Sequence, residues 1–285
     1  MTSRNAAVQE WQAYLTNRAR RHRDGRFLIQ GAEPITQAVA HGWPLEALLY
    51  RLGGPELPPW ARELIDTSAV PSVGLVPEVM AELGETPAST PELVAVARVR
   101  EPALDGFAPG GPGDAPVVVV VERPGSAVRL GSLIRTAHAF GAAAVVVSGS
   151  GADPYDPQCV RTSAGALFAL PVFRVPGVAA VRRLRDRQAG RGLSTLVVGV
   201  VEAPGAVPRP RDGTHPDPAR GGSRPVDAHD FTNATIVVIA DETELGASWQ
   251  RACDALVHIP AAGTLAAPCA AATALYEIFR QRRML

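Results

Sequence analysis

The stretch RPGSAVRLGSLIRTAHAFG, residues 123–141, puts Arg135 inside a small apolar run just past the valines Val117–Val121. A continuous valine run reads as a strand buried on both faces. A cation in the segment that follows it therefore stands on the side where parallel sheets hold their ligands. Comparable strand ends occur at SGSGADPYD, VEAPG and ADETELGAS. Arg135 with Glu242 would make a polar pocket at the edge of a buried sheet, and a structural ion pair accounts for the two residues equally well. Other chemistries find less support. SGSGADP lacks the third glycine of a nucleotide-binding loop and has Pro154 in the way. There is no Walker A sequence, no HExxH and no His/Cys pair at metal-ligand spacing, so no metal is expected. GASWQ is no nucleophile elbow, and His138 reads as an ordinary helix residue.

The elements that must position these residues follow from hydrophobic pattern. VVVVVE, AAAVVVSG, LSTLVVGVV and ATIVVIAD are β-branched runs separated by helical segments, the mark of a parallel sheet covered on both faces. Upstream, residues 5–23 read as one amphipathic helix with Val8, Trp11, Leu15 and Ala19 on its apolar face. RFLIQ and LEALLY read as strands around a helix, with Gly31 and Gly42 at the turns. Further short α/β units run to about Arg100. The Pro- and Gly-dense residues 101–116 read as a linker, and 203–224 as an irregular insertion. AAATALYEIFRQRR ends the chain as a helix with basic residues in its last turn. The expected organisation is thus an α/β domain over 1–100, the linker 101–116, and a parallel α/β domain over 117–285.

Composition bounds the function. The chain has 285 residues, 46% of them hydrophobic and 20% charged, with formal net charge +0. Bulk charge therefore points to neither nucleic acid nor membrane. All 28 basic residues are arginine, a codon-bias signal first and a source of phosphate-binding forks second. Arg18, Arg20, Arg21, Arg23 and Arg26 cluster against the single acid Asp24, which suits either RNA or a solvated helix face. Cys159, Cys253 and Cys269 form no disulfide framework. The N-terminal residues show no signal-peptide core and no run has membrane length, so a cytoplasmic protein is expected.

Longer stretches resemble a known family. GSLIRTAHAFGAAAVVVSGSGADPYDPQCVRTSAGALFALPV resembles the first motif region of the SpoU (TrmH-type) RNA ribose methyltransferases, in the SPOUT superfamily. IVVIADETELGAS lies where their second motif, with Gly-Asn-Glu, belongs. VHIPAAG and AAATALYE lie where the third belongs, and residues 2–50 resemble a substrate-binding domain of the family. Some positions differ. Arg129 stands where the first motif has asparagine, and Ala240, Asp241 and Glu242 where the second has Gly-Asn-Glu. In the third motif Ile259 and Pro260 are kept, Ala261 replaces methionine, and the Ser-Leu-Asn is missing.

The resemblance implies an α/β trefoil-knot domain with a parallel sheet, preceded by a small α/β (L30e-like) substrate-binding domain. It further implies a homodimer, S-adenosyl-L-methionine as cofactor, and methyl transfer to a ribose 2′-hydroxyl of RNA, with 23S rRNA the expected substrate and resistance to a ribosome-targeting antibiotic a consequence. It puts the catalytic roles on Arg135 and Glu242. The cofactor would lie against Ile239, Ala240, Asp241, Ile259, Ala261 and Leu265. RNA would meet Arg18, Arg20, Arg21, Arg23, Arg26, Arg129 and Arg161. A fold homologue that binds RNA or a partner without methylating it, or an enzyme moved to another substrate, is the alternative reading of the altered motifs.

Overall fold

The structure, a computed structural model, describes residues 6–84, 90–111, 113–203, 222–241 and 244–283. Helices α1 (Ala6–Thr16) and α2 (Arg18–Asp24) precede β1 (Arg26–Gln30), α3 (Ala32–Ala40), β2 (Leu45–Arg51), α4 (Pro59–Thr67), β3 (Ser72–Leu75), α5 (Pro77–Ala81) and β4 (Leu93–Arg98). Then come β5 (Val117–Glu122), α6 (Ala127–Ala139), β6 (Ala144–Ser148), α7 (Pro157–Thr162), α8 (Ala166–Ala169), β7 (Val172–Val175) and α9 (Val178–Gly190). The chain closes with β8 (Thr195–Val201), β9 (Arg224–Pro225), β10 (Ala234–Ala240), α10 (Ala247–Gln250), β11 (Ala255–His258) and α11 (Ala267–Arg282). Two compact units result. One holds Met1–Arg100, Leu130–Arg135 and Asp153–Ala169; the other holds Glu101–Arg129, Thr136–Ala152 and Leu170–Leu285.

The first unit has a four-stranded sheet in the order β1-β4-β2-β3, parallel only between β2 and β3. Successive side chains of a strand point to opposite faces, and β1 is buried on both. Leu28 joins Val8, Tyr14, Met80 and Val96 in one core. Phe27 meets Tyr155 and Phe168 at centroid distances of 4.8 and 6.4 Å. The single helix expected over 5–23 is broken at Asn17. Its backbone turns extended and its side chain accepts from the Arg20 amide at 3.0 Å, capping α2.

The second unit has a seven-stranded sheet in the order β7-β6-β5-β10-β8-β11-β9, with every pairing parallel. The four apolar runs read from sequence form its centre. The short strands β7, β9 and β11 extend it at the sides. The residues read as a linker are partly built into this unit. Leu104, in a 3-10 turn, is buried with Val118 and Phe173, and the Phe107 ring packs tilted against Phe173 at a centroid distance of 4.8 Å. Pro and Gly there set an irregular path that two apolar side chains anchor. Residues 204–221 of the insertion lie outside the described residues, while its last residue, Arg224, belongs to β9.

Candidate active site

Where β8, β10 and β11 end, the chain forms a half-open cavity of about 340 Å³. The larger part of its wall is apolar and built by strand ends: Val200 and Val201 from β8, Ile239 and Ala240 from β10, Ile259 beyond β11. The start of α11 closes it through Ala267 and Ala270. All six residues expected to touch a cofactor, Ile239, Ala240, Asp241, Ile259, Ala261 and Leu265, line this one space. Its polar groups are Arg129, Asp241, Glu202, Glu244 and Thr264. Glu202, in the VEAPG strand end, also lines the cavity although the family resemblance does not place it at the cofactor. Among the described residues no group of three or more His, Cys, Asp or Glu could hold a metal ion.

The turn after β5 is fixed by its neighbours. Arg123 adopts a left-handed backbone (φ 46°), unusual for a residue with a side chain. Its amide donates to Ser148 O at 2.9 Å, and Ala152 donates to Pro124 O at 2.6 Å. A Cβ on Gly151 would meet Pro124 O at 2.6 Å. The glycine of SGSG therefore serves backbone contact between two loops. At the end of β5, buried Glu122 accepts from the Gly246 amide at 2.9 Å and so holds the segment leading into α10.

Asp241, at the end of β10, accepts from three donors. Arg129 Nε approaches at 2.8 Å, Arg129 Nη2 at 3.1 Å and the Gly125 amide at 2.8 Å. Arg129, expected at the RNA, is thus held by a two-pronged ion pair and lines the cavity. Arg135 lies further along α6, is exposed, and is not part of the cavity lining. Its helix segment packs closely on α7, since a Cβ on Gly131 would meet Thr162 Oγ1 at 2.1 Å and Cys159 O at 2.4 Å. Glu242 lies outside the described residues.

The arginine cluster is corrected in part. Arg21 is buried, donates to Asp153 through Nε and Nη2 at 3.0 and 2.9 Å, and reaches Asp156 at 3.3 Å. A guanidinium enclosed this way cannot meet RNA. Arg20 and Arg23 both pair with Asp24, and Arg26 pairs with Glu10 and Glu46. The fold brings in acids distant in sequence, so the local excess of positive charge is largely cancelled. Arg18 is half-buried and Arg161 exposed.

The profile of the SpoU L30e-like domain matches residues 5–95, and that of the SpoU rRNA Methylase family matches residues 116–198. The chain is 40% identical over 292 residues to the 23S rRNA (uridine(2479)-2′-O)-methyltransferase of Streptomyces viridochromogenes, covering 99% of this chain and 92% of that protein. It resembles the crystal structure of the SpoU methyltransferase AviRb from Streptomyces viridochromogenes in complex with AdoMet. The TM-score is 0.86 at 39% identity, over 98% of this chain and 99% of that one. The crystal structure of an RNA 2′-O ribose methyltransferase is similar as well, with a TM-score of 0.76 at 28% identity, over 100% and 99% of the two chains.

Proposed function

The chain belongs to the SpoU rRNA methylase family, and on that premise we propose that it methylates a ribose 2′-hydroxyl of 23S rRNA with S-adenosylmethionine as donor. The observation that carries this reading is the cavity at the ends of β8, β10 and β11. Its six expected residues come from two motifs that are separate in sequence.

The residues present fit that cofactor. A space of about 340 Å³ suits a small-molecule ligand. Ile239, Ile259 and Leu265 offer apolar contact to a flat base, and the alanines leave room for it. Arg129 and Asp241 cancel in charge, so Glu202 and Glu244 leave the lining with a negative excess that favours a cationic ligand. The altered third motif thus retains a cavity made by shape and backbone. When bound, the cofactor supplies an electrophilic methyl group.

The chain's own residues supply placement. Arg135 presents an exposed guanidinium with rigid forked donors that suit a phosphate or a ribose oxygen. A guanidinium keeps its proton throughout the physiological range and makes a poor base. We therefore assign Arg135 to holding the RNA in an attack geometry, where most of the gain from orientation arises. Glu242 follows Asp241 and carries the basicity that Arg135 lacks, and we assign it the ribose proton. Of the arginines expected at the RNA outside α6, Arg23 and Arg161 are exposed and are the candidates for phosphate contact.

We extend the reading to a homodimer. Tyr276 and Phe279 of α11 are 55% and 41% exposed and stand edge-on to Phe140 at 6.4 and 6.2 Å. Such an aromatic patch on one helix face suits burial against a second copy. A 2′-O-methyl group removes a donor and adds bulk at the ribosome, which is how methylation would exclude an antibiotic.

The direct test is transfer of labelled methyl from S-adenosylmethionine to 23S rRNA, with the modified ribose mapped, alongside calorimetric titration with the cofactor. Binding and transfer support the reading. No binding at millimolar cofactor would return the chain to the class of RNA- or partner-binding homologues.

A further inference from the structure

Two positions at which this chain departs from its family's motifs touch each other. Arg129 and Asp241 stand where asparagines are usual, and here they are oppositely charged and joined by two hydrogen bonds. Asp241 is only 3% exposed, while Arg129 is 35% exposed. A carboxylate buried that deeply needs a partner, and removing one member of such a pair leaves the other uncompensated. Either change alone would leave a charge without its partner at this point.

The pair also joins two pieces of the site. Strands β5 and β10 are neighbours, with Glu122 opposite Ala240 in register. Asp241 follows β10, and through Gly125 and Arg129 it grips the turn after β5 and the first turn of α6. Arg135 lies six residues further along the same helix, about 9 Å by helical rise. A shift of the first turn is carried along a rigid helix to its later turns. The pair also sets the charge of the cavity. Arg129 alone would leave a cation beside a cationic ligand, and Asp241 alone a desolvated anion.

Building on the methyltransferase reading, we propose that Arg129 and Asp241 act as one positioning unit, which fixes α6 against the end of β10 and neutralises the cavity at that point. Neither is a catalytic residue. They act through the cofactor's placement and through the helix that carries Arg135.

The test is a double-mutant cycle with asparagine at both positions, read by cofactor titration, kcat, KM for RNA and thermal melting. Arg129→Asn and Asp241→Asn are each expected to lower kcat and cofactor affinity by between ~3- and ~100-fold, the range of contacting pairs. Arg129→Asn/Asp241→Asn should recover most of that loss, while KM for RNA stays within about twofold throughout. Losses that simply multiply in the double variant would overturn the proposal. Should Asp241→Asn fail to fold, Arg129→Lys decides the matter. It keeps the charge but not the fork, so a kcat between those of Arg129→Asn and the parent, with unchanged melting, supports the unit. A kcat equal to the parent's overturns it. A parent protein that binds no S-adenosylmethionine would instead overturn the function proposed above, a separate and distinguishable result.

Discussion

Arg21 Nη2 and Asp153 Oδ2 lie 2.9 Å apart, with 2% and 3% of their side chains exposed. Arg21 Nη1 also donates to Tyr14 O at 2.8 Å, and Asp153 accepts from the Tyr155 amide at 3.1 Å. The pair ties α2 to the segment before α7 inside one unit. Removing one side of a buried, hydrogen-bonded pair leaves a desolvated charge, at a cost of about 3–5 kcal/mol. Arg21→Met should therefore lower the melting temperature strongly. Its RNA affinity, measured under conditions where the variant is folded, should match the parent's. A stable variant with weakened, salt-sensitive RNA binding would restore Arg21 to the RNA surface.

Arg135 should behave in the opposite way. Its side chain is exposed and makes no hydrogen bond or ion pair among the described residues, so Arg135→Ala should change stability by no more than about 0.5 kcal/mol. Loss of a donor aimed at reacting groups costs on the order of 100-fold or more in turnover. Methyl transfer and melting measured on one preparation check both halves. Turnover that survives the change would remove the assignment.

Gly131 is where α6 and α7 come closest, and any Cβ there meets backbone as well as Thr162. Overpacking of this kind costs roughly 1–3 kcal/mol. Gly131→Ala should unfold at lower denaturant concentration than the parent, with the same slope. An unchanged midpoint would mean that the two helices separate easily.

Ala261 lines the cavity but is exposed, so bulk added there need not disturb a core. Ala261→Trp should fold normally and bind S-adenosylmethionine at least ~10-fold more weakly, as expected when a small-molecule site is filled. Calorimetric titration reads this directly. Undiminished affinity would put the cofactor elsewhere.

Glu277 gives a pH dependence. The Arg280 guanidinium beside it, at 2.7 and 2.8 Å, holds its carboxyl below the usual 4.5, with a further hydrogen bond from Gln281. A carboxyl with a lowered folded-state pKa stabilises the protein fully above its unfolded pKa, and that share is lost as pH falls through the folded value. The melting-temperature gap between the parent and Glu277→Gln should hold above pH 4.5 and close below it. A gap independent of pH would show that the charge contributes nothing.

Much of the site is legible in the chain itself. The strands β5, β6, β8 and β10 announce themselves as continuous β-branched runs, because a strand covered on both faces tolerates little else. Residues just past such runs must gather at one edge of a parallel sheet. Ile239 to Asp241 follow such a run, while Ile259, Ala261 and Leu265 are placed beside them only by the family resemblance; all six line one cavity. The strands β7, β9 and β11 are not legible in this way. They are two to four residues long and carry too few side chains to show a period.

What the linear sequence determined, then, is the class of elements and the residues at their ends, both fixed by short-range pattern and hydrophobic burial. The tertiary structure alone decided which charges meet. Arg21 reads as one of a basic cluster until Asp153, 132 residues away, buries it. Arg129 and Asp241 are 112 residues apart, and nothing near either announces the other. They meet because β5 and β10 pair as neighbours. An ion pair depends on distance in space, and that distance is set by the order of strands in the sheet.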